Sequence, residues 1–67
     1  MSKDIKYGKS VIRVQKTIYK EKTYIDIRKY YMNEETDEYK PTRKGITIPL
    51  DIAETILKAG MEIINEN

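Results

Sequence analysis

The sequence predicts an α+β domain in which antiparallel strands precede a single C-terminal helix. Three observations carry this. Apolar and β-branched residues alternate with polar ones through Val11–Lys16 and Thr23–Tyr31, the period-2 signature of half-buried strands. From residue 52 onward the apolar residues recur at helical spacing. The chain has 67 residues, which is enough for one small core and one domain spanning 1–67.

A short first strand is expected over Ile5–Lys9, with Gly8 as a bulge or bend. Val11–Lys16 is the second strand. Lys20-Glu21-Lys22 is the turn into the third, a charged turn without Gly. In Thr23–Tyr31, Ile25 and Ile27 share one face while Asp26 and Arg28 share the other. Residues 33–38 hold Glu34, Glu35, Asp37 and Glu38 with no apolar residue, and read as a solvated loop. Lys40–Ile48 resumes as a strand, with Pro41 near its start, where a missing N–H donor is tolerated.

The helix is expected from about Asp51, or from a residue or two earlier around Pro49. Asp51 and Glu54 fit a capping box and suit the positive end of the helix dipole. On a helical wheel, Ile52, Ile56, Ala59 and Ile63 form one cluster and Ala53, Leu57, Met61 and Ile64 another, with Gly60 between them. The combined arc spans about 200°, twice the roughly 100° that covers one core. Half of it is left for a partner. Gly60 costs about 1 kcal/mol relative to Ala inside a helix, and close approach of a second backbone would account for it. A homodimer with Ala53, Leu57, Gly60, Met61 and Ile64 at the interface is the expectation, reinforced by size. A chain of this length is marginal alone, and without Cys or His it has neither disulfides nor an ordinary zinc site to staple it.

The same absences exclude a thiol nucleophile and an imidazole base. No apolar run approaches the roughly 18 residues of a membrane span, and Met1-Ser2-Lys3-Asp4 leads into no signal segment. A cytoplasmic protein is expected, nucleoid-associated in a bacterium. The acidic run lacks the alternating ligands, central Gly and distal Glu of a calcium loop. Lys40-Pro41-Thr42-Arg43-Lys44-Gly45 lacks the residue order of a phosphate-binding loop. The expectation is a protein that is not an enzyme and holds no cofactor or metal.

Charge is segregated. Residues 1–32 hold nine Lys or Arg against three acids, whereas the acidic run and the helix are net negative, and the whole chain carries only +2. A basic face of this kind suits a polyanion. Tyr19, Tyr30 and Tyr31 fall at strand ends among Lys20, Lys22, Arg28 and Lys29. Rings interleaved with cations on an exposed sheet suit a single-stranded nucleic acid, whose bases stack while its phosphates are neutralised. The only clear helix is acidic on its polar side and unsuited to a duplex groove.

Ile25-Asp26-Ile27-Arg28-Lys29-Tyr30-Tyr31-Met32, followed by Lys40-Pro41-Thr42-Arg43-Lys44-Gly45-Ile46-Thr47, resembles the C-terminal domain of the transcriptional positive cofactor four family. These are single-stranded-DNA-binding proteins of eukaryotes, bacteria and phages. The resemblance runs from about Ile5 through the helix. It implies a curved four-stranded antiparallel sheet followed by one helix, with two chains paired through their helices. It also implies paired channels for single strands of opposite direction. The family's DNA contacts correspond to Lys9, Tyr19, Lys20, Lys22, Arg28, Tyr31, Arg43 and Lys44. Tyr31 stands where the family often has Trp, and Glu21 at a turn position that is often Gly. Without a Ser-rich regulatory tail, the chain resembles the bacterial or phage type. The expected function is sequence-tolerant single-stranded DNA binding by a homodimer, in transcription, replication or repair and in contact with that machinery. An RNA-binding protein and a dimeric protein-interaction module are the alternatives.

Overall fold

The computed structural model describes residues 1–66. Four antiparallel strands, β1 (Ser2–Tyr7), β2 (Ser10–Tyr19), β3 (Lys22–Asn33) and β4 (Glu38–Pro49), form one open sheet in sequence order, and the helix α1 (Leu50–Asn65) follows β4 directly. The body measures 40 × 38 × 20 Å, a thickness that leaves room for one sheet and one helix and no third layer. All peptide bonds described are trans.

Each hairpin turn follows from its backbone. Tyr7 pairs with Ser10, so β1 and β2 are joined by Gly8 and Lys9 alone. Gly8 has φ +63°, the left-handed value that a type II′ hairpin turn requires at its first central position. Gly8 is thus a turn residue, and the first strand runs Ser2–Tyr7 rather than Ile5–Lys9. Tyr19 pairs with Lys22 across Lys20 and Glu21, at φ 49° and 67°. Two successive positive φ values are the type I′ pattern, here held by two residues that carry a Cβ. The acidic loop is closed by the Asp37 amide on the Asn33 carbonyl at 2.8 Å, and the Asn33 side chain accepts the Glu35 amide at 3.0 Å.

The β3–β4 ladder is interrupted between Arg28, which faces Gly45, and Tyr30, which faces Pro41. Lys29 is thereby opposed by Thr42, Arg43 and Lys44, a bulge with two extra residues on β4. Three hydrogen bonds hold it. Arg28 donates through Nη1 to the Thr42 carbonyl at 3.0 Å, and the Thr42 hydroxyl donates to the Lys29 carbonyl at 2.8 Å. The Thr42 hydroxyl also accepts the Lys44 amide at 3.1 Å. At Gly45 a Cβ would fall 2.7 Å from the Ile27 carbonyl oxygen and 2.9 Å from the Arg28 Cα, so only glycine lets the strands approach there.

The two sheet faces differ in chemistry. One carries Ile12, Val14, Ile25, Ile27, Ile46 and Ile48 and receives α1. The other carries a polar lattice. There Asp26, only 7% exposed, accepts Arg28 Nε and Nη2 at 3.2 and 3.1 Å and the Thr47 hydroxyl at 2.9 Å. Beside it Arg13 grips Asp4 through two hydrogen bonds of 2.8 and 3.1 Å and lies 4.2 Å over the Tyr30 ring, whose hydroxyl accepts Gln15 Nε2. Val11 is buried on this same side.

Helix α1 starts at Leu50 with Pro49 at the N-cap position, and no side chain caps it. Asp51 sits inside the first turn, so the expected Asp51–Glu54 capping box does not form; Glu54 instead pairs with Lys58 at 3.2 Å. The reason is the strand. Pro49 still faces Tyr24, so the chain passes from sheet to helix without a linker in which Asp51 could serve as N-cap. Asp51 keeps its favourable place near the dipole's positive end.

Two predictions follow from this architecture. Glu21→Gly relieves an αL position that costs an L-residue about 1–2 kcal/mol, offset in part by glycine's greater freedom when unfolded. It should raise stability by several tenths to about 1 kcal/mol in thermal melts at fixed protein concentration; an unchanged or lower melting temperature would show that the strain at Glu21 does not exceed glycine's entropic cost. The second concerns Asp26. Burial pulls its carboxyl upward, but the hydrogen bonds from Arg28 and Thr47 and the Arg28 charge outweigh this and hold it below the ordinary carboxylate value. A carboxyl depressed in the folded state contributes stability above its unfolded pKa of about 3.9 and loses it as pH falls through the folded value. Asp26→Asn should cost about 1–3 kcal/mol at pH 7, and the gap from the parent should close as pH falls below about 4. A gap independent of pH would place the effect outside the carboxylate charge.

Candidate nucleic-acid interface

The residues singled out from the sequence collect at the two ends of β3. At one end, Tyr19 closes β2, is 56% exposed, and faces Lys22 across the turn. Lys20 lies in that turn with its Nζ 5.4 Å from the Tyr19 ring centroid, a cation–π distance. These two strand residues belong to the polar face of the sheet, by their register with Asp26.

At the other end, Tyr31 is 44% exposed and lies on the helix-bearing face, in register with Ser10 and Lys40. Lys9 is in the adjacent β1–β2 turn, and the bulge carries Arg43 and Lys44 beside Lys29. Tyr31 lies nine positions beyond Lys22 along β3, roughly 30 Å of extended chain. No single base reaches both Tyr19 and Tyr31. A bound strand must run the length of the sheet, or the two clusters must serve separate segments.

Arg28 is placed differently from the other basic residues. Its guanidinium is committed to Asp26 and to the Thr42 carbonyl, and the Asp26 hydrogen bond and charge raise its already high pKa. Its position holds the bulge that carries Arg43 and Lys44. Tyr30 is likewise turned to the polar face, under Arg13. Arg13 also keeps the Asp4 carboxyl below its ordinary value, chiefly by hydrogen bonding. Among the described residues Arg13, Arg28, Lys40 and Lys58 are the ion-paired cations. Lys9, Lys20, Lys22, Lys29, Arg43 and Lys44 make no ion pair there, and their charges are available to an anionic ligand.

Sequence reasoning missed Tyr7. It is 66% exposed and faces Ser10, which in turn faces Tyr31. The signal was present in Tyr7-Gly8-Lys9-Ser10. A two-residue turn there sets Tyr7 opposite Ser10 and so onto the Tyr31 face. Reading Gly8 as a bulge concealed that register.

On the helix, Ala53 is 3% exposed and packed on the chain's own sheet, whereas Leu57, Met61 and Ile64 are exposed, as are Ile52, Ile56 and Ile63 of the other cluster. An added Cβ at Gly60 would meet open space. Among the described residues no cluster of three Asp, Glu, His or Cys is placed to hold a metal, and no helix is long and apolar enough to cross a membrane.

This architecture recurs in known proteins. A PC4 homolog from Burkholderia pseudomallei superposes with a TM-score of 0.84 at 21% identity, over 97% of this chain and 88% of that one. The bacteriophage T5 homolog of the eukaryotic transcription coactivator PC4, implicated in recombination-dependent DNA replication, superposes with a TM-score of 0.71 at 20% identity, over 94% of this chain and 76% of that one. At these identities the likeness is one of fold. In sequence, 39 residues are 44% identical to the RNA polymerase II transcriptional coactivator SUB1 of Saccharomyces cerevisiae, a match covering 58% of this chain and 13% of that much longer protein. The model of the family Transcriptional Coactivator p15 (PC4) matches residues 8–59. That span takes in all three hairpin turns, the bulge with Gly45 and the first ten residues of α1, and the chain belongs to the PC4 family.

Proposed function

We propose that this chain is a homodimeric, sequence-tolerant single-stranded-DNA-binding protein that works in transcription, replication or repair. The observation that carries the reading is the exposed Tyr31 ring at a sheet end where Lys9, Lys29, Arg43 and Lys44 make no ion pair among the described residues. Rings take bases by stacking, cations take phosphates, and neither reads a base edge, so the binding is tolerant of sequence. The Tyr19–Lys20–Lys22 cluster offers the same chemistry at the far end of β3. A coactivator of RNA polymerase II and a phage protein implicated in recombination-dependent replication among its relatives support a role where strands are opened.

The dimer reading rests on burial. The buried apolar residues of the single chain are Val11, Ile48 and Ala53, and none of its large side chains among the described residues is fully buried. Leu57, Met61 and Ile64 stand exposed on the helix, and Ile5, Ile18 and Ile46 on the sheet. A chain of this size needs that surface covered.

Sedimentation equilibrium at micromolar concentration should give a dimer. Leu57→Glu or Ile64→Glu should yield unstable protein, since small obligate dimers often lack a stable folded subunit. A well-folded monomer across the range would overturn the helix interface.

Binding is tested by fluorescence anisotropy with single-stranded DNA, the matching duplex and RNA at several salt concentrations. Affinity for single strands should exceed that for blunt duplex and fall with salt at a log–log slope of about −0.7 per phosphate neutralised. Tyr31→Ala should cost roughly 1–3 kcal/mol and leave the slope in place, whereas Lys44→Ala should reduce the slope by a little under one unit. Equal affinity for duplex and single strand would remove the stacking model, and preference for RNA would reassign the ligand.

A further inference from the structure

Tyr7 has no role in the contacts proposed above, yet its setting is that of a ligand-binding ring. It ends the edge strand β1 with two thirds of its surface exposed, so it is not a core residue. Its hydroxyl has no hydrogen-bond partner among the described residues. Register sets it on the same face as Tyr31: each is directly opposite Ser10, one on either side. Adjacent strands lie about 4.7–4.9 Å apart, so the two side chains arise roughly 9–10 Å from each other with only the small Ser10 between them. That gap is too wide for one base to stack on both rings and leaves room for a base on each.

The surroundings select the ligand. The Lys29 Nζ lies 5.9 Å from the Tyr7 ring centroid, within cation–π range. Lys9 is two residues from Tyr7, in the turn that follows it, and Lys40, which is paired with Glu38, follows Tyr31 in the cross-strand row. The dimer surface proposed above is aliphatic. This patch is aromatic and rimmed with lysines, which a symmetric contact between copies would bring together as like charges. Single-stranded nucleic acid supplies both complements, base faces for the rings and phosphates for the lysines.

We propose that Tyr7 is a second base-stacking ring, acting beside Tyr31 across Ser10, so that this end of the sheet holds two bases of one strand on a single face. The arrangement is comparable in kind to sheet surfaces whose aromatics on neighbouring strands each take a base. It rests on the single-strand reading above and extends it to the β1–β2 hairpin.

The test is a titration of fluorescein-labelled oligothymidylate with the full chain and with Tyr7→Ala, Tyr7→Leu and Tyr7→Phe, each matched to the parent in melting and sedimentation. Tyr7→Leu keeps an apolar side chain on the strand and removes only the ring. Tyr7→Ala and Tyr7→Leu should weaken binding about 5- to 150-fold, the range for loss of one base–aromatic stack, with the salt slope unchanged. Tyr7→Phe should bind as the parent does. In a Tyr31→Ala background the Tyr7→Leu loss should persist, because each ring holds its own base.

If Tyr7→Leu folds, dimerises and binds like the parent, Tyr7 is a surface-covering strand residue and the proposal fails while the single-strand reading stands. If Tyr7→Leu shifts the monomer–dimer equilibrium instead, the ring belongs to an interface between copies, and the proposal fails. If Tyr7→Phe is as weak as Tyr7→Leu, the hydroxyl and not the ring makes the contact, which also overturns stacking. A parent chain that does not bind oligothymidylate removes the single-strand reading itself.

Discussion

The Arg28 guanidinium, clamped between the Asp26 carboxylate and the Thr42 carbonyl, is the interaction on which the rest of the structure depends. It ties the centre of β3 to the one place where β4 leaves its ladder. The bulge there admits two extra residues, and the number matters. Side chains alternate with period 2 along a strand, so one extra residue would turn Ile46 and Ile48 away from the helix. Two extra residues restore the alternation beyond the bulge. Thr42, Arg43 and Lys44 leave the ladder while Ile48 stays buried next to α1. One local irregularity thus serves both the aliphatic core and the basic edge.

Gly45 and Asp26 are the conditions for that clamp. Gly45 lets β4 return to β3 at a distance no side chain would permit. Asp26 is nearly buried, and a carboxylate there is tolerable because the Arg28 guanidinium and the Thr47 hydroxyl satisfy it. In a molecule with so few buried apolar side chains, a satisfied polar lattice on the open face substitutes for a second hydrophobic layer. The Arg13–Asp4 pair and the Arg13 stack on Tyr30 continue it toward the β1 edge.

The division of labour between the faces explains how a thin domain can present a binding surface without dissolving its core. Aliphatic residues are concentrated where α1 lies, and cations and rings occupy the turns, the bulge and the strand ends. Lysines at turns and edges also discourage edge-to-edge pairing of an open sheet. Apart from Glu21 in its turn and the paired Asp4 and Asp26, the acidic residues are kept apart from them, in the β3–β4 loop and on α1 and its C-terminal end. Charge separation of this kind orients a polyanion toward one region of a chain that is close to neutral as a whole.

Much of this was legible in the sequence because it is local. Alternation in residues 11–16 and 23–31 specifies strands, the recurrence of apolar residues after 52 specifies a helix, and the acidic run between Asn33 and Glu38 specifies a solvated turn. The wide apolar arc of the helix and the separation of charge are likewise properties of the order of residues alone. Cross-strand neighbours are not. That Tyr30 and Tyr31 lie on opposite faces follows from periodicity, but that Tyr7 stands beside Tyr31 depends on the type II′ turn at Gly8. That Arg28 is spent on the bulge, and not left free like Lys44, depends on where β4 departs from its register. The helix starts at Leu50 without a side-chain cap because Pro49 is still part of the sheet. Periodicity is written into one segment at a time, whereas register is set by turn geometry and by contacts between segments, and only the folded sheet brings those together.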